Sequence, residues 1–175
     1  MRVADYQVEQ ARRVADLMMK AASMGSPGGS GDFVTGYWNR LAVLESDKQW
    51  KTNPTSGAQG YFQQLPSTKL DLINRGYSNV AAQMLSMDLP IAAKAAREYA
   101  IIQKGASAIE SLEAKGDIAG LDKLLNGLWP SLPGGSQAQT GERLLRANRE
   151  LVPIINGPGG QVIGYVGSTG RSSGP

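Results

Sequence analysis

Leu44-Glu45-Ser46, a loop, and then Asn53-Pro54-Thr55-Ser56-Gly57-Ala58-Gln59-Gly60-Tyr61-Phe62-Gln63-Gln64-Leu65-Pro66-Ser67-Thr68 is the stretch on which the fold of this chain turns. It sets one carboxylate at the end of an apolar helix, then a tight Gly/Ala loop, then a Gln and a Pro. Working back from Glu45, Asp32 is a natural N-cap for a helix running through Trp38 to about Ser46. Glu45 falls on the same side of that helix as Trp38 and Leu41. A carboxyl on such a face is partly desolvated, which raises its pKa, and a raised pKa suits a general acid near neutral pH. Gly57, Ala58 and Gly60 are small enough for a ligand to lie against the backbone. Gln63 brings both a donor and an acceptor. Taken singly, each feature has a plainer meaning: most Glu residues only solvate a surface, and loops collect glycine. Their conjunction points to a site.

Outward from this stretch the chain reads as helices. Residues 1–24 carry Ala4, Val8, Ala11, Ala15, Met18 and Ala22 in alternating steps of four and three, an amphipathic helix that either covers its own domain or docks on another protein. Gly25 to Gly31 is a Gly/Ser breaker, and no GK[ST] follows to make it a phosphate loop. Residues 47–60 read as loop, and helices are expected over roughly 61–74, 78–87, 90–104, 106–114, 117–128 and 138–150. Pro90 suits a first helical position, Gly116 a stop and Asp117 a cap. Ile154-Ile155, the turn Asn156-Gly-Pro-Gly-Gly160 and Val162 to Val166 predict a small β-hairpin before a Gly/Ser-rich tail. The expected architecture is mainly α, divided into an N-terminal helix and linker (1–31), a central domain (32–153) and a hairpin-like tail (154–175).

Composition narrows the chemistry. The chain of 175 residues has no His and no Cys. Ser-His-Asp triads, Cys-His dyads, disulfides and His-ligated zinc sites are therefore excluded, and acid/base work falls to Asp, Glu, Lys or Tyr. The net charge is +3, with basic residues scattered at Arg12-Arg13, Lys48, Lys51, Arg143, Arg146 and Arg149. No run is dense enough to predict nucleic-acid binding. These charges either solvate faces or attract the protein to an anionic surface. Arg2 is followed by polar residues rather than an apolar run, so no signal peptide is expected, and no stretch is long enough to predict a membrane span.

The central stretch resembles the lytic transglycosylase (SLT-type) domain, related to goose-type lysozyme. That family shows a Glu-Ser pair, then Ser-x-x-Gly-Ala-x-Gly-Leu-x-Gln, then Met-Pro-x-Thr. Here the counterparts are Glu45-Ser46, Ser56-Gly57-Ala58-Gln59-Gly60-Tyr61-Phe62-Gln63 and Leu65-Pro66-Ser67-Thr68. One residue between Ser and Gly-Ala is missing, Tyr61-Phe62 stands for Leu-Met, and the family's Ala-Tyr-Asn-Ala-Gly motif is absent. Farther on, Lys115-Gly-Asp-Ile-Ala-Gly-Leu-Asp-Lys-Leu-Leu-Asn-Gly-Leu-Trp-Pro-Ser-Leu-Pro-Gly-Gly135 is similar to lambda-type phage endolysins, where Arg-Gly-Asp-Ile leads to Asn-Ile-Trp-Ala-Ser-Leu-Pro-Gly. The two resemblances together cover about residues 36–145.

The resemblance implies a lysozyme-like fold and cleavage of bacterial peptidoglycan without metal or cofactor, with Glu45 as acid/base and Gln63, Ser56, Gly57, Ala58, Gly60 and Tyr61 along the glycan groove. Asn126, Trp129, Ser131 and Pro133 would form the opposite wall. Trp129 is either core or a platform for a sugar ring, and Tyr99, in an Ala-rich helix, is either core or cleft lining. Ordinary glycosidases use two carboxylates. Only Asp47 is near Glu45 in sequence, and beyond a helix end it points elsewhere. The resemblance implies a one-carboxylate route that closes a 1,6-anhydro ring on N-acetylmuramate. A hydrolysing lysozyme on the same fold, and a phage structural protein keeping the fold for assembly, are the alternatives. Carriage in a phage virion or synthesis in a host cytoplasm, with other virion proteins as further partners, goes with the endolysin likeness.

Overall fold

The computed structural model describes residues 31–156 and 161–167. The expected N-terminal helix, the linker before Gly31, the turn at 157–160 and the tail from 168 lie outside these residues. The described chain is mainly helical, as the sequence predicts.

The fold is organised by one helix, α1 (Gly31–Ser46). Phe33, Tyr37, Trp38, Leu41, Ala42, Val43 and Leu44 are all buried, and so are Asn39, Arg40 and Ser46. A helix buried on nearly every side lies at the centre of a domain, not on its surface. Arg40 can sit there because Asp122 takes both of its terminal nitrogens, at 2.7 and 2.9 Å, and Asn148 accepts from Nε at 2.9 Å. The Tyr37 hydroxyl donates to the same Asp122 at 2.8 Å. A buried charge needs such partners. The helix ends where Asp47 and Lys48 turn left-handed, at φ 58° and 57°.

Around α1 run α2 (Pro66–Asn74), α3 (Ser78–Met84), α4 (Leu89–Lys104), α5 (Ala106–Lys115), α6 (Ile118–Leu125) and α7 (Gly141–Asn148). Local signals fix several ends. Asp88 caps α4, Gly116 stops α5 in the left-handed region at φ 64°, and Asp117 accepts from the Gly120 N–H at 2.8 Å to start α6.

Two helices are shorter at the start than expected. Residues 61–65 are not helix. Gln59 and Gln64 exchange backbone hydrogen bonds at 2.9 and 2.8 Å, Gln63 is left-handed at φ 50°, and Leu65 is extended ahead of the Pro66 ring. Residues 138–140 do not join α7, because the 137 and 139 N–H groups are committed to the carbonyls of Pro130 and Ser131.

Strands β1 (Leu151–Asn156) and β2 (Gln161–Gly167) pair antiparallel, from Leu151 opposite Gly167 to Asn156 opposite Gln161, with an irregularity at Ile154/Ile155. β2 runs beside α1. Among the described residues no helix is long and apolar enough to cross a membrane.

At the middle of the core Trp38 and Tyr99 both meet Trp129 edge-on, with centroids 5.7 and 5.6 Å away. Glu113 accepts from the Trp38 indole at 3.1 Å and from Arg97 Nε at 2.7 Å. This packing brings the end of α1, the 51–64 loop, the 128–132 turn and α7 together.

Candidate active site

Glu45 occupies the last turn of α1 and is half-buried. The Ser131 hydroxyl donates to its Oε2, and the Ser131 backbone N–H donates as well. Burial pushes the Glu45 carboxyl up from 4.5 to about 7. The two Ser131 bonds, then the charges of Arg143 and Lys51, pull the other way and are outweighed. A carboxyl raised this far can carry a proton near neutral pH, which suits a group that must give a proton and then take one.

Ser131 is delivered by a short turn whose geometry is fixed by its neighbours. The Trp129 indole donates to the Phe62 carbonyl at 3.1 Å, Leu132 N–H bonds Trp129 O at 3.0 Å, and Gln139 N–H bonds Ser131 O at 2.9 Å. The turn carrying Ser131 is thus tied to the loop carrying the Gly/Ala motif.

That loop is a miniature sheet, with single bridges pairing Thr52 to Gln59 and Gln59 to Gln64. Asn53 Oδ1 accepts from the N–H groups of Thr55 and Ser56, at 2.8 and 3.3 Å. Gly60 has φ 85°, and a Cβ there would stand 3.2 Å from the Met84 carbonyl, so its side chain is excluded by both conformation and space. Gly57, at φ 76°, abuts Pro66 in the same way. Ala58 is buried, and Ser56 is exposed with its Oγ accepting from the Ala58 N–H at 3.2 Å. The Tyr61 hydroxyl donates to Met87 O at 2.8 Å. Gln63 Nε2 closes the loop onto the Gly60 and Lys51 carbonyls at 2.9 and 3.1 Å, leaving its amide oxygen as the group it can offer outward.

Three residues expected to line the cleft make packing or bracing contacts. Trp129 is 3% exposed, with its N–H bonded to the Phe62 carbonyl and its ring in edge contact with Trp38 and Tyr99, so it sits in the core. Tyr99 is buried edge-on against Trp129, and its hydroxyl accepts from Gln103. Asn126 braces the following turn by donating to Pro133 O at 3.4 Å, and Gly134 is pressed against its amide.

Asp47 faces away from the site chemistry: it is left-handed and ion-paired with Arg146 at 3.1 Å. The main influences on Glu45 are burial, Ser131, Arg143 and Lys51, and none of them is an acid. The resemblance puts Ser131 on the wall, but nothing in the sequence signals its direct bond to Glu45. Lys51 and Arg143 read in the sequence only as scattered basic residues. Among the described residues no group of three acids could hold a metal ion. A separate cavity of about 550 Å³ lies between the first half of α1 and α4, lined by Val34, Trp38, Asn39, Pro90, Ala93 and Arg97 among others, without Glu45.

No protein-family model, no curated protein and no solved structure matches this chain.

Proposed function

We propose that the protein is a peptidoglycan-cleaving lytic transglycosylase in which Glu45 is the single acid/base. The observation that carries this is one half-buried carboxyl with a pKa near 7, held by two hydrogen bonds from Ser131, with no second acid among its main influences. Protonated Glu45 gives its proton to the oxygen linking N-acetylmuramate to N-acetylglucosamine, and the bond from that oxygen to the muramate C1 breaks. The resulting carboxylate takes the proton of the muramate C6 hydroxyl, whose oxygen closes on C1. The C6 hydroxyl is already held in the same sugar, so its effective concentration is high and no activated water is required. Ser131 keeps the carboxyl in place while its charge changes. On this proposal the helical domain is lysozyme-like, the two strands form its C-terminal hairpin, and the protein acts on the wall as part of, or on behalf of, a phage particle.

Digestion of purified sacculi with the full chain, followed by mass spectrometry, tests this. Products should end in 1,6-anhydro-N-acetylmuramate and be lighter by one water than lysozyme products. Glu45→Gln should give none. Reducing-end products would replace the lyase with a hydrolase, and intact sacculi would remove the function altogether.

A further inference from the structure

Helices α1 and α4 do not close on each other along their first halves, and the cavity of about 550 Å³ lies between them. Its floor is Trp38 and Asn39, both buried, and its rim carries Pro90 and Lys94, both exposed. Val34 and Ala93 form half-buried walls. The volume falls within the range of about 300–1,000 Å³ in which small molecules are bound. Water held against apolar walls has few hydrogen-bond partners, so an apolar ligand replaces it favourably.

The cavity has two unlike ends. The Trp38 indole and Arg97 Nε both donate to Glu113, at 3.1 and 2.7 Å, which brings the Trp38–Asn39 turn of α1 against the Arg97 turn of α4. Val34 and Pro90 lie about one and two turns earlier in their helices and give the apolar end. At the polar end Glu113 is sealed beneath, with its side chain 1% exposed, and it neutralises Arg97. Lys94 is the charge that remains. It stands one turn before Arg97 on the same face of α4. Among the described residues it forms no ion pair, and no acidic side chain lines the cavity to answer it. Its ammonium is a point charge on a flexible stem, able to follow a ligand at the mouth.

We propose that the cavity between α1 and α4 binds a small apolar molecule ending in a carboxylate, with the apolar body on the Trp38 floor and the carboxylate at Lys94. The site stands apart from Glu45, which is about two turns beyond Trp38 on α1 and outside the lining. It therefore does not depend on glycan cleavage.

The test is calorimetric titration of the full-length protein at neutral pH with four probes: octanoate, hexanoate, octanamide and octylammonium, each kept below the concentration at which it aggregates. Octanoate should bind saturably. Hexanoate should bind roughly tenfold more weakly, from two fewer buried methylenes. Octanamide should bind about threefold more weakly than octanoate, as expected for one exposed ion pair, and octylammonium more weakly still. Lys94 is exposed, so Lys94→Glu leaves the core untouched; it should reverse the order and make octylammonium the tightest of the eight-carbon probes. Ala93→Phe fills the cavity from its wall and should abolish octanoate binding, with thermal unfolding showing that the variant is folded. If that variant does not fold, the Lys94→Glu result decides alone. Absence of saturable octanoate binding, equal binding of octanoate and octanamide, an order unchanged by Lys94→Glu, or undiminished binding by folded Ala93→Phe would each overturn the proposal.

Discussion

Replacing Glu45 by Gln should stabilise the protein at alkaline pH and leave its stability almost unchanged at acid pH. In the folded protein burial raises the carboxyl from 4.5 to about 7. Below pH 4.5 the group is protonated whether the chain is folded or not, so it contributes nothing to the pH dependence. Between 4.5 and about 7 the unfolded chain releases the proton while the folded chain keeps it, so stability falls as pH rises. Above about 7 the whole difference is expressed. At roughly 1.4 kcal/mol per pH unit, that gap corresponds to about 3 kcal/mol. The sign is opposite to that of an ion-paired carboxylate, whose stabilisation grows as pH rises.

Gln has nearly the same shape, and its amide oxygen can still accept from Ser131, so the substitution removes the ionisation and little else. Urea denaturation of both proteins near pH 4.5 and again at about pH 9 measures the effect. Because the comparison is a difference, every other titrating group cancels. The variant should be more stable by up to about 3 kcal/mol at the alkaline pH, roughly 6–12 °C in Tm for a chain of this size, and within about 0.5 kcal/mol of wild type at the acid pH. A difference independent of pH, or a Gln variant that is the weaker protein at alkaline pH, would refute the desolvated carboxyl. The same ionisation sets the alkaline limb of activity, which should decline above about pH 7.

Ser131→Ala removes a hydrogen bond that favours ionised Glu45, so the alkaline limb of the pH–rate profile should move upward while the maximal rate drops; an unmoved limb would detach Ser131 from the acid. Trp129→Phe leaves the Phe62 carbonyl without its donor and opens a small void, and should lower stability in urea by about 2–3 kcal/mol with glycan affinity unchanged. Lost affinity at full stability would restore Trp129 as a sugar platform. Asp122→Ala strands Arg40, which is 2% exposed, and deprives the Tyr37 hydroxyl of its acceptor, so it should lower stability by about 3–5 kcal/mol in the same assay.

The helices that could be read from the sequence are those with a local code. Pro90 in a first turn, Gly116 at a left-handed stop and Asp117 as a cap act within a few residues of themselves, and α4, α5 and the start of α6 lie where these signals put them. Residues 61–65 could not be read this way. The spacing of Tyr61, Phe62 and Leu65 suits a helix, but Phe62 is drawn fully into the core and its carbonyl is claimed by Trp129, 67 residues away. The start of α7 differs for the same kind of reason, since Gln139 in its expected first turn is bonded to Ser131 and Gln137 just before it to Pro130. Periodicity registers where apolar side chains recur; it carries no information about which distant backbone group takes a hydrogen bond. Arg40 is the sharpest case. Nothing near it in sequence announces a buried guanidinium, because its partner Asp122 is 82 residues away.

The candidate site divides along the same line. The desolvation of Glu45 follows from its place on the Trp38 and Leu41 side of α1, both of which are buried. What surrounds the carboxyl does not follow, because Ser131 bonds it from a turn that shares no local pattern with α1, and the charges that act on it, Arg143 and Lys51, come from a helix and a loop just as remote in pattern. The charge of Arg143 gave no warning either. Its neighbour Arg146 has the same chemistry and is ion-paired with Asp47 and Glu142, and only the assembled fold decides which of the two is paired and which acts on Glu45 through its charge. The acidity of Glu45 is therefore a property of the assembled domain. In an isolated α1 peptide water would solvate the carboxylate and the group would titrate near 4.5; in the folded chain the Trp129–Phe62 tie holds the Ser131 turn over it, and burial outweighs every group that would ionise it. A substitution that loosens that tie would reach the acid without touching it, lowering the Glu45 pKa by admitting water and narrowing the pH range in which one carboxyl can both give and take a proton.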